Sequence, residues 1–236
     1  LDGGIYLYGL DLASGQPLYQ QHLDGPWSVP KKDRQPHVME GTSSDLLVCQ
    51  GDRLYMLQDV FDLQLKKLSA PMISDNGLRH TGPRLLATGG FLDDSGFDRL
   101  HWAYSEFWPG SHFTYQAPKT GQIIVFDDAT TYALNIFNTR FSRSPAFIAG
   151  KEGCDLVADS NGNEPGQPTP DEQLVLQRNK PAKWQKKIPI RASAMVLAGP
   201  ALFLAGLPDV VPAEDPYAAF DGRRGAVLWA ASTADG

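Results

Sequence analysis

Cysteine is scarce in this chain of 236 residues, which holds only Cys49 and Cys154. With no CxxC pair between them, a zinc ribbon and a dense disulfide framework are both excluded, while one disulfide or two free thiols stay open. The five histidines, His22, His37, His80, His101 and His112, show no HxH or HExxH spacing, so no zinc site is expected. No G-x-S-x-G nucleophile elbow occurs, and Ala87-Thr88-Gly89-Gly90 lacks the Lys and Ser/Thr of a phosphate-binding loop. Positive charge is also short, with 21 Lys and Arg against 27 Asp and Glu and a net charge of −6. Contacts to nucleic-acid phosphates need clustered bases. The two densest basic stretches, residues 31–34 and 183–187, are short and separated, as solvated turns or strand edges are. No apolar run approaches the roughly 18 residues of a membrane span, so membrane insertion is not expected. The first residues, Leu1-Asp2-Gly3-Gly4, have no basic, apolar signal-peptide pattern.

What is present is turn chemistry and alternation. The 23 Gly and 18 Pro accompany a 42% hydrophobic and 20% charged composition, that of an ordinary folded protein with many turns. A unit recurs in which a short apolar run meets a turn of Asp, Gly, Ser or Thr and then a second apolar run. It is seen in 5–10 with 16–21 around Ser14-Gly15, and in 45–49 with 53–57 around Gln50-Gly51-Asp52. It returns in 122–126 with 131–137 around Asp127-Asp128-Ala129, and in 194–197 with 202–205 around Ala198-Gly199-Pro200. Residues 61–66 alternate strictly and predict a half-buried strand. Helical periodicity is weak. Residues 170–177 fit two turns of helix or a strand from Gln173 to Gln177, and 24–44, 159–171 and 207–217 read as long connections. Repeated hairpins predict an all-β repeat architecture.

Two segments carry a family likeness: Leu10-Asp11-Leu12-Ala13-Ser14-Gly15-Gln16-Pro17-Leu18-Tyr19 and Gly222-Arg223-Arg224-Gly225-Ala226-Val227-Leu228-Trp229. They resemble the pyrroloquinoline-quinone-like (PQQ-like) β-propeller repeat of bacterial proteins, in which an Asp, a Thr/Ser-Gly turn and a Leu-aromatic pair recur at this spacing. The stretches 89–94, 104–105, 116–122 and 150–153 extend the likeness over nearly the whole chain. The resemblance implies one quinoprotein-like β-propeller domain over 1–236, built from four-stranded antiparallel blades. At about 40–45 residues per blade the length corresponds to roughly five. A start just before a strand and an end on a turn signal read as truncation at both ends, with blades missing. A periplasmic or extracellular location is implied as well. In that superfamily the quinone dehydrogenases hold PQQ with Ca²⁺ and a vicinal disulfide. Cys49 and Cys154 are not vicinal, so no cofactor is expected unless absent blades supply the site.

Residues 91–108 are the most chemically loaded stretch. Trp102, Tyr104 and Trp108 offer a stacking platform, while Asp94, Arg99 and His101, with Lys119 farther on, supply orienting polar groups for a bound ligand. The competing reading makes the aromatics wedges between sheets and the charged residues a turn with a surface ion pair. Asp93, Asp94 and Asp98 are carboxylates of the kind used in acid–base or Ca²⁺ chemistry, but their proximity in sequence does not make them converge. Asp159-Ser160-Asn161-Gly162-Asn163-Glu164 looks like a Ca²⁺ loop, yet Glu164 and Pro170 occupy the positions that need Gly and Glu, which favours an ordinary turn. No catalytic residues are assigned. The expectation is a noncatalytic scaffold or recognition module binding a protein or glycan through blade-top loops. The rival is part of a quinone- or metal-dependent oxidoreductase, with a carbohydrate-active enzyme behind it.

Overall fold

The computed structural model describes residues 4–23, 46–56, 59–68, 79–87, 102–107, 117–135, 150, 153–164, 178 and 180–236, with backbone only at 79–82 and 107. The described residues form sixteen β-strands and no helix, and the paired strands run antiparallel, in agreement with the all-β expectation. The segments 24–44 and 170–177 lie outside the described residues. The chain divides into two compact units, one comprising 1–100 with 106–111 and the other 101–105 with 112–236.

In the first unit β1 (Ile5–Leu10) pairs with β2 (Pro17–Leu23). Next come β3 (Val48–Gln50), β4 (Arg53–Met56), β5 (Asp59–Asp62) and β6 (Lys67–Leu68), a meander in which each strand pairs with the next. The strand β7 (Arg79–Ala87) follows. Leu7, Leu23, Met56, Phe61 and Leu65 form the core of this unit, with Ile5 and Leu54 packed against it. Arg84 is buried with its guanidinium 4.3 Å from the Tyr55 ring centroid, and burial lowers its pKa to about 10.

The turns explain why these hairpins close where they do. Oδ1 of Asp11 accepts the N–H groups of Ala13 at 3.2 Å and Ser14 at 2.8 Å. Asp62 Oδ1 does the same for Gln64 and Lys66, and Asp127 Oδ1 for Ala129 and Thr130. Each carboxylate thereby satisfies donors that the strand ladder leaves over. The device overturns the expected strand at 61–66. Although the residues alternate, Asp62 ends β5, Leu65 turns back with φ of 64°, and Leu65 N–H bonds to the Asp62 carbonyl at 3.0 Å. Leu65 still reaches the core, at 5% exposure, so the apolar signal was real while its geometry is that of a turn.

The strand β8 (Trp102–Phe107), whose residues 102–105 belong to the second unit, pairs through Trp102 and Ala103 with β9 (Thr120–Gly121) of that unit. A second four-stranded meander runs β10 (Ile123–Phe126), β11 (Thr130–Asn135), β12 (Cys154–Ser160), β13 (Trp184–Ile188). A three-stranded meander follows: β14 (Ile190–Ala198), β15 (Ala201–Pro208), β16 (Val227–Ser232). Leu134, Cys154, Leu156, Ile190, Leu202 and Leu204 are at the centre of a continuous core joining the last two sheets. Both cysteines are free, Cys49 exposed and Cys154 buried.

Gly206 faces Ala192 where the β14–β15 register shifts between Ala192 and Ala194. A Cβ there would lie 2.1 Å from the Arg191 carbonyl oxygen and 2.6 Å from Ala192 Cα. Because backbone cannot yield as a flexible side chain does, Gly206→Ala should cost about 2–3 kcal/mol, read as a lowered urea midpoint. Burial pushes the Cys154 thiol up to about 11. The unfolded thiol therefore loses its proton first, and stability falls as pH rises from about 9 to about 11. Across that window the loss should be roughly 2–3 kcal/mol and should vanish in Cys154→Ala. The check is denaturant melts of both proteins at stepped pH.

Candidate functional site

Of the residues expected to bind ligand, Asp94, Arg99, His101 and Trp108 lie outside the described residues, as do Asp93 and Asp98. Trp102, Tyr104 and Lys119 are described, and the structure places Tyr104 and Lys119 together. Tyr104 stacks on Phe126 with ring centroids 4.3 Å apart, and Lys119 Nζ lies 5.6 Å from the Tyr104 centroid. Trp102, two residues before Tyr104 on β8, is half-buried and pairs with Gly121.

Lys119 is fully enclosed. Its ammonium donates to the Glu164 carboxylate and, at 2.8 Å, to the Asn161 carbonyl. The other Glu164 oxygen accepts from Ser105 Oγ at 2.6 Å. A buried ammonium needs such partners, since an isolated charge in the interior costs far more than a folded domain can tolerate. The backbone takes part too. Lys119 adopts φ of 56°, a conformation L-residues avoid, donates its N–H to Asp159 Oδ2 at 3.0 Å and accepts from Tyr104 N–H at 3.0 Å. Asp159, itself buried, also receives Arg178 and, at 3.1 Å, Asn163 Nδ2. Asn161 completes the cluster, bonding Thr131 Oγ1 at 2.7 Å and the Asp127 carbonyl at 2.7 Å. Burial first, then the negative charges of Glu164 and Asp128, raises the Tyr104 pKa.

The 159–164 turn thus directs its oxygens at protein groups. Asp159, Asn161 and Glu164 are the partners of Lys119, and Asn163 N–H closes the turn on the Ser160 carbonyl at 2.8 Å. In this arrangement Lys119 ties β8 and β12 to the turn, and its ammonium is enclosed by protein acceptors. The role of an orienting group at a ligand surface therefore has no exposed atom of Lys119 to act through.

A different set of aromatics is open. Alternation on β1 buries Leu7 and leaves Tyr6 and Tyr8 exposed by 53% and 54%. Across the pair, His22 stands opposite Tyr6 and Gln20 opposite Tyr8, so the four side chains share one face. The Tyr6 and His22 rings stack at 4.3 Å with planes 30° apart. None of the four is an acid, Lys or Arg. The strict alternation Ile5-Tyr6-Leu7-Tyr8 carried this information, because a half-buried strand must send its aromatic and aliphatic residues to opposite sides.

Among the described residues no group of three or more His, Cys, Asp or Glu is gathered to hold a metal ion, and no helix is long and apolar enough to cross a membrane. Neither protein-family models nor curated proteins match the sequence, and no solved structure matches the fold.

The enclosed cation predicts an asymmetric response. Glu164→Gln keeps the shape but removes the counter-charge, and should cost about 3 kcal/mol or more, as for a broken buried pair. Lys119→Met, which removes the buried charge itself, should cost less. Urea denaturation of the two variants gives the comparison.

Proposed function

We propose that the chain is a noncatalytic recognition scaffold that binds a neutral glycan on the outer face of β1–β2. The observation that carries this reading is the open row of Tyr6, Tyr8, His22 and Gln20 on one side of a hairpin whose other side is core. The exposed rings offer π-faces to the C–H groups of a sugar, and the phenols and the Gln20 amide offer donors and acceptors to its hydroxyls. Tyr6 and Tyr8 are separated along the strand by about 6.7 Å, a distance of the order of a sugar ring. A platform without acids or strong bases suits an uncharged ligand better than an anionic one.

The scaffold in this reading is a β-propeller of the PQQ-like type. The two complete four-stranded meanders, β3–β6 and β10–β13, have the strand order of a propeller blade, each strand beside its sequence neighbour. The binding surface in this reading is a sheet face and not a set of blade-top loops, and an extracytoplasmic setting is where a glycan-binding surface would meet its ligand.

The test is calorimetry or affinity electrophoresis against a panel of neutral oligosaccharides and polysaccharides. Binding should weaken roughly tenfold in Tyr6→Ala and in Tyr8→Ala, with thermal stability nearly unchanged because both rings are half-exposed. Absence of binding across the panel, or binding indifferent to both substitutions, contradicts the reading.

A further inference from the structure

Asn-Gly occurs twice in the chain, at Asn76-Gly77 and at Asn161-Gly162. In this dipeptide no side chain shields the glycine nitrogen, and that nitrogen can attack the side-chain amide carbon of the preceding Asn. A C–N bond forms to close a succinimide ring, and the side-chain nitrogen leaves as ammonia. Water then opens the ring to aspartate or isoaspartate. The net change consumes one water and releases one ammonia, with no oxidant or cofactor. Asn76 lies outside the described residues. Asn161 is described, and the structure engages each of its four polar groups.

The Asn161 N–H donates to the Ala129 carbonyl at 3.0 Å, and its own carbonyl accepts the Lys119 ammonium at 2.8 Å. In the side chain, Nδ2 donates to the Asp127 carbonyl at 2.7 Å and Oδ1 accepts from Oγ1 of the buried Thr131 at 2.7 Å. Asn161 and Gly162 are also the two central residues of the turn that Asn163 N–H closes on the Ser160 carbonyl. For the Gly162 nitrogen to reach Cγ, the amide has to leave Thr131 and Asp127 while the turn rotates. We infer that Asn161 is a conditional modification site: the closed turn preserves it, opening of the turn lets it deamidate, and the product cannot re-form the clamp. The last step follows from donor chemistry. A carboxylate at 161 has no N–H for the Asp127 carbonyl, so two acceptors face each other. Isoaspartate routes the main chain through the former side chain, which lengthens the turn that holds Lys119. Deamidation of Asn161 is thus a one-way record of opening at the Lys119 cluster.

Peptide-level mass spectrometry of the 236-residue chain, incubated in mildly alkaline buffer with and without urea, tests this. In urea Asn161 should convert at a rate similar to that of Asn76, since both precede Gly. In native buffer Asn161 should convert at least about tenfold more slowly than in urea, because only the open fraction reacts. Thr131→Val, of nearly the same shape, removes one of the two side-chain hydrogen bonds. It should speed conversion in native buffer several-fold and leave the rate in urea unchanged. Where circular dichroism shows that Thr131→Val does not fold, the ratio of native to urea rates in the unaltered chain decides. Asn161→Asp, one of the two products, should refold with a lowered urea midpoint and faster hydrogen exchange over 117–120. Equal rates in native buffer and urea overturn the inference, as does a folded Thr131→Val that converts no faster. An Asn161→Asp chain with unchanged midpoint and exchange overturns it as well.

Discussion

Three of the hairpins are closed by the same interaction, a carboxylate oxygen that accepts two backbone N–H groups in the turn: Asp11, Asp62 and Asp127. The consequence reaches well beyond the turns. Side chains in a strand alternate with period two, so a slip of one residue in a hairpin sends every core residue to solvent and every surface residue inward. By fixing where each strand stops, the Asp turns fix which residues meet across the ladder. At Asp11 this pairs Tyr6 with His22 and Leu7 with Gln21, and so decides that the tyrosines face out. The Asp11 carboxyl is held below its ordinary pKa by the Ser14 hydroxyl and then by the Ser14 N–H, the behaviour expected of an acceptor that works in its ionised form.

Where no Asp closes the turn, other constraints take over. Gly199, at φ of 56°, makes the β14–β15 turn, and the absence of a Cβ at Gly206 lets the bulged β14 approach. In the second unit, Lys119 does by buried charge what the turns do by hydrogen bonds. It holds a strained backbone, an ion pair and two strands in one arrangement, and has no slack for a ligand. The Lys119 cluster lies inside the second unit, while the Tyr6 and Tyr8 side of β1–β2 is exposed and carries no Asp, Glu, Lys or Arg at the paired positions Tyr6, Tyr8, Gln20 and His22.

Much of this was legible in the residues. Apolar runs flanking Ser14-Gly15, Gln50-Gly51-Asp52, Asp127-Asp128-Ala129 and Ala198-Gly199-Pro200 mark four hairpins that the structure contains, because each turn needs chemistry that only a few residue types supply. The reading of 61–66 failed for a reason also written there. Period-two alternation is shared by a strand and by a turn that returns Leu65 to the core, and only the Asp62 side chain tells them apart. Lys119 was singled out by residue type and not by position, since its partners Asp159, Asn161 and Glu164 are some 40 residues away. Nothing local announces that contact. The tyrosine face does not stand out by density of chemical groups, as 91–108 does, because the informative quantity in 5–8 is the direction that alternation gives each side chain.

The central claim is that register, set at the turns, presents Tyr6 and Tyr8 as an open platform. Tyrosine-selective chemical footprinting read by mass spectrometry addresses it directly, with Tyr132, 3% exposed, as the internal reference. The account predicts fast modification of Tyr6 and Tyr8 in the free protein, slow modification of Tyr132, and protection of the first two alone when a bound glycan is present. Modification of Tyr6 and Tyr8 in the free protein as slow as that of Tyr132 would contradict it.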